Sequence, residues 1–183
     1  MAEQTFTSGQ ILTAAQMTTL QTNTGLAWIS STAVPASPAQ SSIVVSGCFT
    51  STYDNYRIIY AGGAMSSNQR FSMILGASTA GYYEGLNFVT YATGAAGSTA
   101  TNNGPAWVLI GGGSTQSTGF IIDLQNPFLA QYTQMNAVGS LQTTQATWDQ
   151  GIHAVATSYT GFTITPIGST ITGGTLSIYG YRK

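Results

Sequence analysis

From residue 43 onward the chain is a succession of short runs in which apolar and small polar residues alternate. Each run is closed by a cluster of Gly, Ser, Thr or Asn. Side chains switch face at every residue of a β-strand, so a period of two marks strands with one buried face. Phe120, Ile122 and Leu124 share one phase, and Asp123 and Gln125 take the other. Phe162 and Ile164 oppose Thr163 and Thr165 in the same way, and Leu176 and Ile178 oppose Thr175 and Ser177. The pattern predicts strands over 43–49, 56–62, 71–77, 86–92, 106–112, 119–125, 132–139, 152–158, 162–168 and 175–181. Regular spacing with polar, Gly-rich turns predicts an all-β fold, an antiparallel jelly-roll-like sandwich. No fixed-period repeat is present, which argues against a solenoid. GAAG at 94–97 and GGG at 111–113 are followed by neither Lys nor a helix, so they read as flexible hairpin tips rather than phosphate loops.

The first 42 residues differ. Residues 8–24 are the one stretch with helical periodicity. Ser8 stands at a capping position, Ile11, Leu12, Ala15, Met17 and Leu20 form an apolar side, and Asn23, Thr24 and Gly25 form a stop. A short helix with so modest a stripe is marginal alone in water and needs a surface to dock on. Residues 26–42 carry Pro35 and Pro38 and read as an extended linker, with Trp28 large enough to dock elsewhere. The expected organisation is therefore an attachment and oligomerisation segment over 1–42, with Phe6, Ile11, Leu12, Ala15, Met17, Leu20 and Trp28 as its contacts. A β-sandwich head follows over 43–183.

Charge narrows the function. The 183 residues include 4 Lys plus Arg, 5 Asp plus Glu and 1 His, so 5% of the chain is charged, against roughly a quarter in ordinary domains. Four scattered cations do not neutralise a phosphate track, so no nucleic-acid partner is expected. No apolar run reaches the ~18 residues that span a bilayer, and the start MAEQTFTSGQ lacks the basic and apolar regions of a secretory signal. A single cysteine, Cys48, forms no internal disulfide and reads as a small buried hydrophobe, in keeping with folding in a cytoplasm. The polar phase of the strands is Thr, Ser, Gln and Asn. Without charge to protect them, strand edges and faces invite neighbouring subunits.

Candidate chemistry is sparse. His153 is the only histidine, and Asp149 is near it in sequence, but no nucleophile elbow accompanies them. His153 reads as a polar-face or interface residue. Asp54, Glu84, Asp123 and Asp149 are the acids from which a sugar-cleaving pair would have to come. Asp54 fits a turn, with Arg57 pairing to it or to Asp123. No catalytic residue, cofactor or metal ligand is assigned, and the chain is expected not to be an enzyme. Tyr82, Tyr83 and Glu84 in a turn, with Asn102 and Asn103 in a longer loop before Trp107, form the candidate contact for a host-surface glycan, since aromatics stack on sugar faces and amides bond hydroxyls.

The opening TFTSGQILTAAQMTTLQTNTG resembles the start of many small tailed-phage structural proteins through Phe6, Gly9, Leu12, Thr13, Ala14, Ala15 and Met17. Thr18 stands where that pattern often has Asn. SGCFTSTYDNYRIIYAG (46–62) resembles the first strands of phage fibre and head-fibre sandwich modules, and GGTLSIYGYRK (173–183) resembles their closing strand. The resemblance implies a homotrimeric virion protein made in the host cytoplasm and fixed to other capsid or tail proteins by its N-terminal segment. A fibre or adhesin is the first expectation. A capsid-attached decoration protein without receptor binding is the alternative, and a polysaccharide-degrading enzyme is a distant third.

Overall fold

A computed structural model describes residues 8–9, 11, 13–17, 25–141 and 144–183. Among these lie twelve strands: β1 (Leu26–Ala33), β2 (Ile43–Val45), β3 (Asn55–Met65), β4 (Gln69–Leu75), β5 (Tyr82–Thr90), β6 (Ala96–Gly104), β7 (Gly112–Gly113), β8 (Thr118–Gln125), β9 (Thr133–Leu141), β10 (Gln145–His153), β11 (Phe162–Pro166) and β12 (Ile171–Tyr181). One helical turn, α1, covers 14–17.

Every strand pair is antiparallel. The long sheet runs β1-β12-β3-β8-β9-β10-β5-β6, and a small one runs β2-β11-β4. Two-residue β7 pairs with β4 on one side and β8 on the other, fastening the sheets along one margin. The order β2-β11-β4-β7 against β3-β8-β5-β6 is that of a jelly roll. Here β9 and β10 are inserted after β8, and β12 and β1 extend the sheet beyond β3.

The alternation read from the sequence builds the core. Phe120, Ile122 and Leu124 of β8, Tyr56, Ile58 and Tyr60 of β3, and Leu176 and Ile178 of β12 point inward. They meet Phe71, Met73 and Leu75 of β4 and Phe162 and Ile164 of β11. Phe71 reaches across the sandwich to Phe120 with ring centroids 5.2 Å apart, and Phe49 stacks on Phe162 at 5.6 Å. Burying each such side chain contributes about 1.5–3 kcal/mol. Cys48 is buried among them, and burial pushes its thiol up to about 12.

Several local expectations are corrected. Residues 26–33 are a strand rather than linker, because LAWISSTA pairs with β12 from Leu26↔Tyr181 to Ala33↔Thr175, and Pro35 and Pro38 fall after it ends. The described part of the helix is capped by Thr13, not Ser8. The Gln16 N–H donates to Thr13 Oγ1, and the Thr13 N–H donates to Gln16 Oε1 at 2.9 Å, a reciprocal cap. Phe6, Leu12 and Leu20 lie outside the described residues. Gly112 and Gly113 are buried strand, not a loose tip: a Cβ on Gly113 would sit 2.1 Å from Thr118 Oγ1, so only glycine lets β7 pass there. The expected 94–104 loop is mostly edge strand β6, and the expected 106–112 strand is an irregular crossing held to β4 by the Met73↔Trp107 bridge.

Candidate functional site

The strands β9, β10 and β5 carry the residues of interest on two faces. Cross-strand register sets three inner rows: Thr133–His153–Tyr82, Met135–Gly151–Glu84 and Ala137–Asp149–Leu86. Tyr82, Glu84, Thr133, Asp149 and His153 are all buried. Trp107 descends from the 105–111 crossing onto the gap at Gly151, where a Cβ would lie 2.5 Å from its Nε1. Glycine in mid-strand here makes room for an indole.

Tyr82, expected at an exposed turn, opens β5 in the inward phase. Its hydroxyl accepts the Leu75 N–H at 2.8 Å and donates to the Ser78 carbonyl, and its ring stacks on His153 at 4.2 Å. Burial pushes the Tyr82 hydroxyl up to about 12. His153 is likewise a core residue, not a polar-face one. Its Nε2 bonds the Tyr159 hydroxyl at 2.7 Å, and its Nδ1 faces the Gly81 backbone without a well-formed bond. Burial holds the imidazole below its ordinary range, so it is neutral.

Glu84 and Asp149 form a buried carboxyl pair. The Val108 N–H donates to both Glu84 oxygens at 2.9 Å and ties the crossing segment to β5. Neither Asp149 oxygen finds a well-formed donor among the described residues. Burial first, then the Glu84 charge and the hydrogen bond to it, push Asp149 up to about 8; burial also raises Glu84, against the pull of Val108 and Thr101. Charging both members in so buried a place is costly, and Asp149 keeps its proton well above the ordinary carboxylate range. Among the described residues no group of three or more His, Cys, Asp or Glu is placed to hold a metal ion.

The outer face of the same strands is open. Tyr83, 36% exposed, borders a shallow depression of ≈ 430 Å³ with Gln134, Asn136, Gln150 and Ile152. Of the glycan set, Tyr83 and the nearly buried Glu84 border this surface. Tyr82 is withdrawn into the core. Asn103, at φ 56°, accepts the Gly81 N–H with Oδ1 at 3.0 Å and closes the β5–β6 bulge, while Asn102 is exposed on the edge strand. The candidate glycan contact is therefore not assembled as one site.

Sequence reasoning missed a row on this face. Ile59 of β3, Ile121 of β8, Val138 of β9 and Trp148 of β10 are consecutive cross-strand neighbours. Ile121, Val138 and Trp148 are 41%, 51% and 47% exposed. One register step away, Arg57 Nε and a terminal nitrogen bond both oxygens of Asp123, at 2.8 and 2.6 Å, and the Tyr181 hydroxyl donates to Asp123 at 2.8 Å. Arg57 thus pairs with Asp123, its direct cross-strand partner; Asp54 meets Lys183 at 2.8 Å instead. Nearer the start of the chain, Ala15 is exposed, and Ile11, Met17 and Trp28 are 89%, 46% and 64% exposed.

No protein-family model and no curated protein sequence matches this chain.

Proposed function

We propose that this chain is a non-catalytic structural protein of a tailed-phage virion, a fibre-like homo-oligomer attached to the particle through its N-terminal segment. The observation that carries the reading is the pairing of a nearly uncharged long-sheet face with large apolar residues left in the open, Trp28, Val138 and Trp148 on the long sheet and Ile11 and Met17 before it. Surfaces of this kind are covered in use by protein. The acids among the described residues are spent on structure: Asp54 and Asp123 in ion pairs, Glu84 and Asp149 beneath the sheet. The N-terminal resemblance to phage structural proteins points the same way.

A second reading, a capsid-attached decoration protein that touches no host receptor, is favoured by one observation. Tyr82 and Glu84, on which sugar recognition would have relied, are buried. Both readings are tested by gold-labelled antibodies to the head domain on purified particles of the encoding phage. Label on tail or fibres supports the first, label over the capsid supports the second, and particles that carry no copy of the chain end both. Deleting residues 1–25, which precede β1, is expected to leave the head folded but missing from particles.

A further inference from the structure

We infer that the Ile59–Ile121–Val138–Trp148 row is the contact through which copies of this chain bind one another, row against row. The inference rests on the oligomer proposed above and names its surface.

The first argument is shape and extent. Strands lie about 4.8 Å apart and rise about 3.3 Å per residue, so the eight-stranded face covers roughly 38 by 30 Å, or about 1,100 Å². A standard protein contact takes about 800 Å² from each partner. The row runs across β3, β8, β9 and β10, the middle of that face, with amides and hydroxyls around it: Asn136 and Gln150 on one side, Ser140 on the other. An apolar centre within an uncharged polar rim is the usual anatomy of such a contact, and tryptophan is its commonest anchor.

The second argument selects the occupant. A partner of opposite charge would be met by a charged face. A copy of the same chain requires the reverse, because like faces bring like charges together. The charged pair beside the row, Arg57 and Asp123, is internally neutralised by a two-pronged bond, so two copies meet without repulsion. The whole chain carries a net charge of only -1. A sister copy is the partner that this charge pattern fits.

The test is the mass of the full chain in solution. Wild type is expected to sediment as an oligomer at micromolar concentration. Val138→Glu places one carboxylate per copy at the centre of the row and is expected to weaken association at least ~100-fold, giving monomers. Because Val138 is half-exposed, the variant should keep the wild-type β-sheet circular dichroism. A change in that spectrum would shift the test to Trp148→Gln, which adds no charge. Gln134→Glu, on the same strand but off the row, is the control and should stay oligomeric. A monomeric wild type overturns the inference, as does a well-folded Val138→Glu chain of wild-type mass, or equal dissociation of the control. If the rows dissociate as expected but no copy is found in particles, the virion reading fails and this contact stands. If the chain is in particles and Val138→Glu keeps its mass, only this contact fails.

Discussion

On β9, β10 and β5 the inner face carries Glu84, Asp149, His153 and Thr133, and the outer face carries Val138 and Trp148 beside Ile121. Each face carries exceptions to the usual polarity, alongside the buried Tyr82, Leu86, Met135 and Ala137 inside and Gln134, Asn136 and Gln150 outside. Farther along the same sheet, on β3 and β12, the inner face is conventional: Tyr56, Ile58, Leu176 and Ile178 face in, while Arg57 and Ser177 face out beside Ile59. The difference lies in what each face must satisfy. A polar group can be buried if a neighbour bonds it, as Tyr159 bonds His153, or if it sheds its charge, as Asp149 does by keeping its proton. An apolar group can be left outside if something else covers it. Both exceptions occur on the same three strands.

The largest expected effect is on the inner face. Trp107 fills the space above Gly151 and is fully buried. Trp107→Ala should lower folding stability by about 3–5 kcal/mol. Gly151→Val, which drives a side chain into the indole, should be comparably damaging. Urea denaturation in the Val138→Glu background, free of association, checks both. If Gly151→Val is tolerated within about 0.5 kcal/mol, the indole is not seated as described.

Next comes the carboxyl pair. The folded state holds a proton on Asp149 that the unfolded chain releases near 4 and the folded chain releases only near 8. Stability is therefore full below pH 4 as far as this group is concerned and is lost as pH rises towards about 8. One proton allows at most about 1.4 kcal/mol per pH unit. Because the pair is mutually dependent, a total loss of roughly 2–3 kcal/mol between pH 5 and 8 is expected. His153 has the opposite sign: neutral when folded, it costs stability as pH falls below the ordinary histidine range. Asp149→Asn cannot ionise, so it should flatten the alkaline loss while leaving the acid side intact. Melting curves from pH 4 to 9 decide this, and a wild type whose stability is level from 5 to 8.5 would count against a proton held on Asp149.

These cases show how much of the molecule was legible beforehand. The strands of the conventional half, β3, β8, β11 and β12, are readable because most of their inward positions are large and apolar. β10 was placed seven residues late, at 152–158, because its inward residues are Thr147, Asp149, Gly151 and His153, which look like turn and solvent residues. β6 was missed because AGSTATNNG has no apolar phase at all. β1 was hidden by the two prolines just beyond it. The glycan set divides by phase: β5 sends Tyr82 and Glu84 inward and Tyr83 outward. The apolar row did leave a trace. Ile121 beside Ile122, Val138 in phase with Gln134 and Asn136, and Trp148 in phase with Gln150 each put an apolar residue in a polar phase. Only the register, which sequence does not supply, lines them up.

The smallest effect sharpens the comparison from outside. Arg57 and Asp123 lie beside the row, with side chains 34% and 29% exposed. Burial pushes Asp123 up, but the hydrogen bonds from Arg57 and Tyr181 outweigh it and hold the carboxyl below its ordinary range. The pair therefore contributes above that range and is lost as pH falls through it. Exposed ion pairs are worth about 0–1 kcal/mol, and the half-exposed state of this one keeps it at the upper end of that range at most. In the Val138→Glu monomer, a double-mutant cycle of Arg57→Gln with Asp123→Asn should return about 0.5–1 kcal/mol and shrink further in high salt. In the wild-type oligomer the same cycle should return more and resist salt, because a sister copy laid over the row excludes water and strengthens the attraction. Equal coupling in both backgrounds would mean that the pair stays solvated in the assembly. The outer face would then be open in use, and the exposed Val138 and Trp148 of β9 and β10 would need another cause.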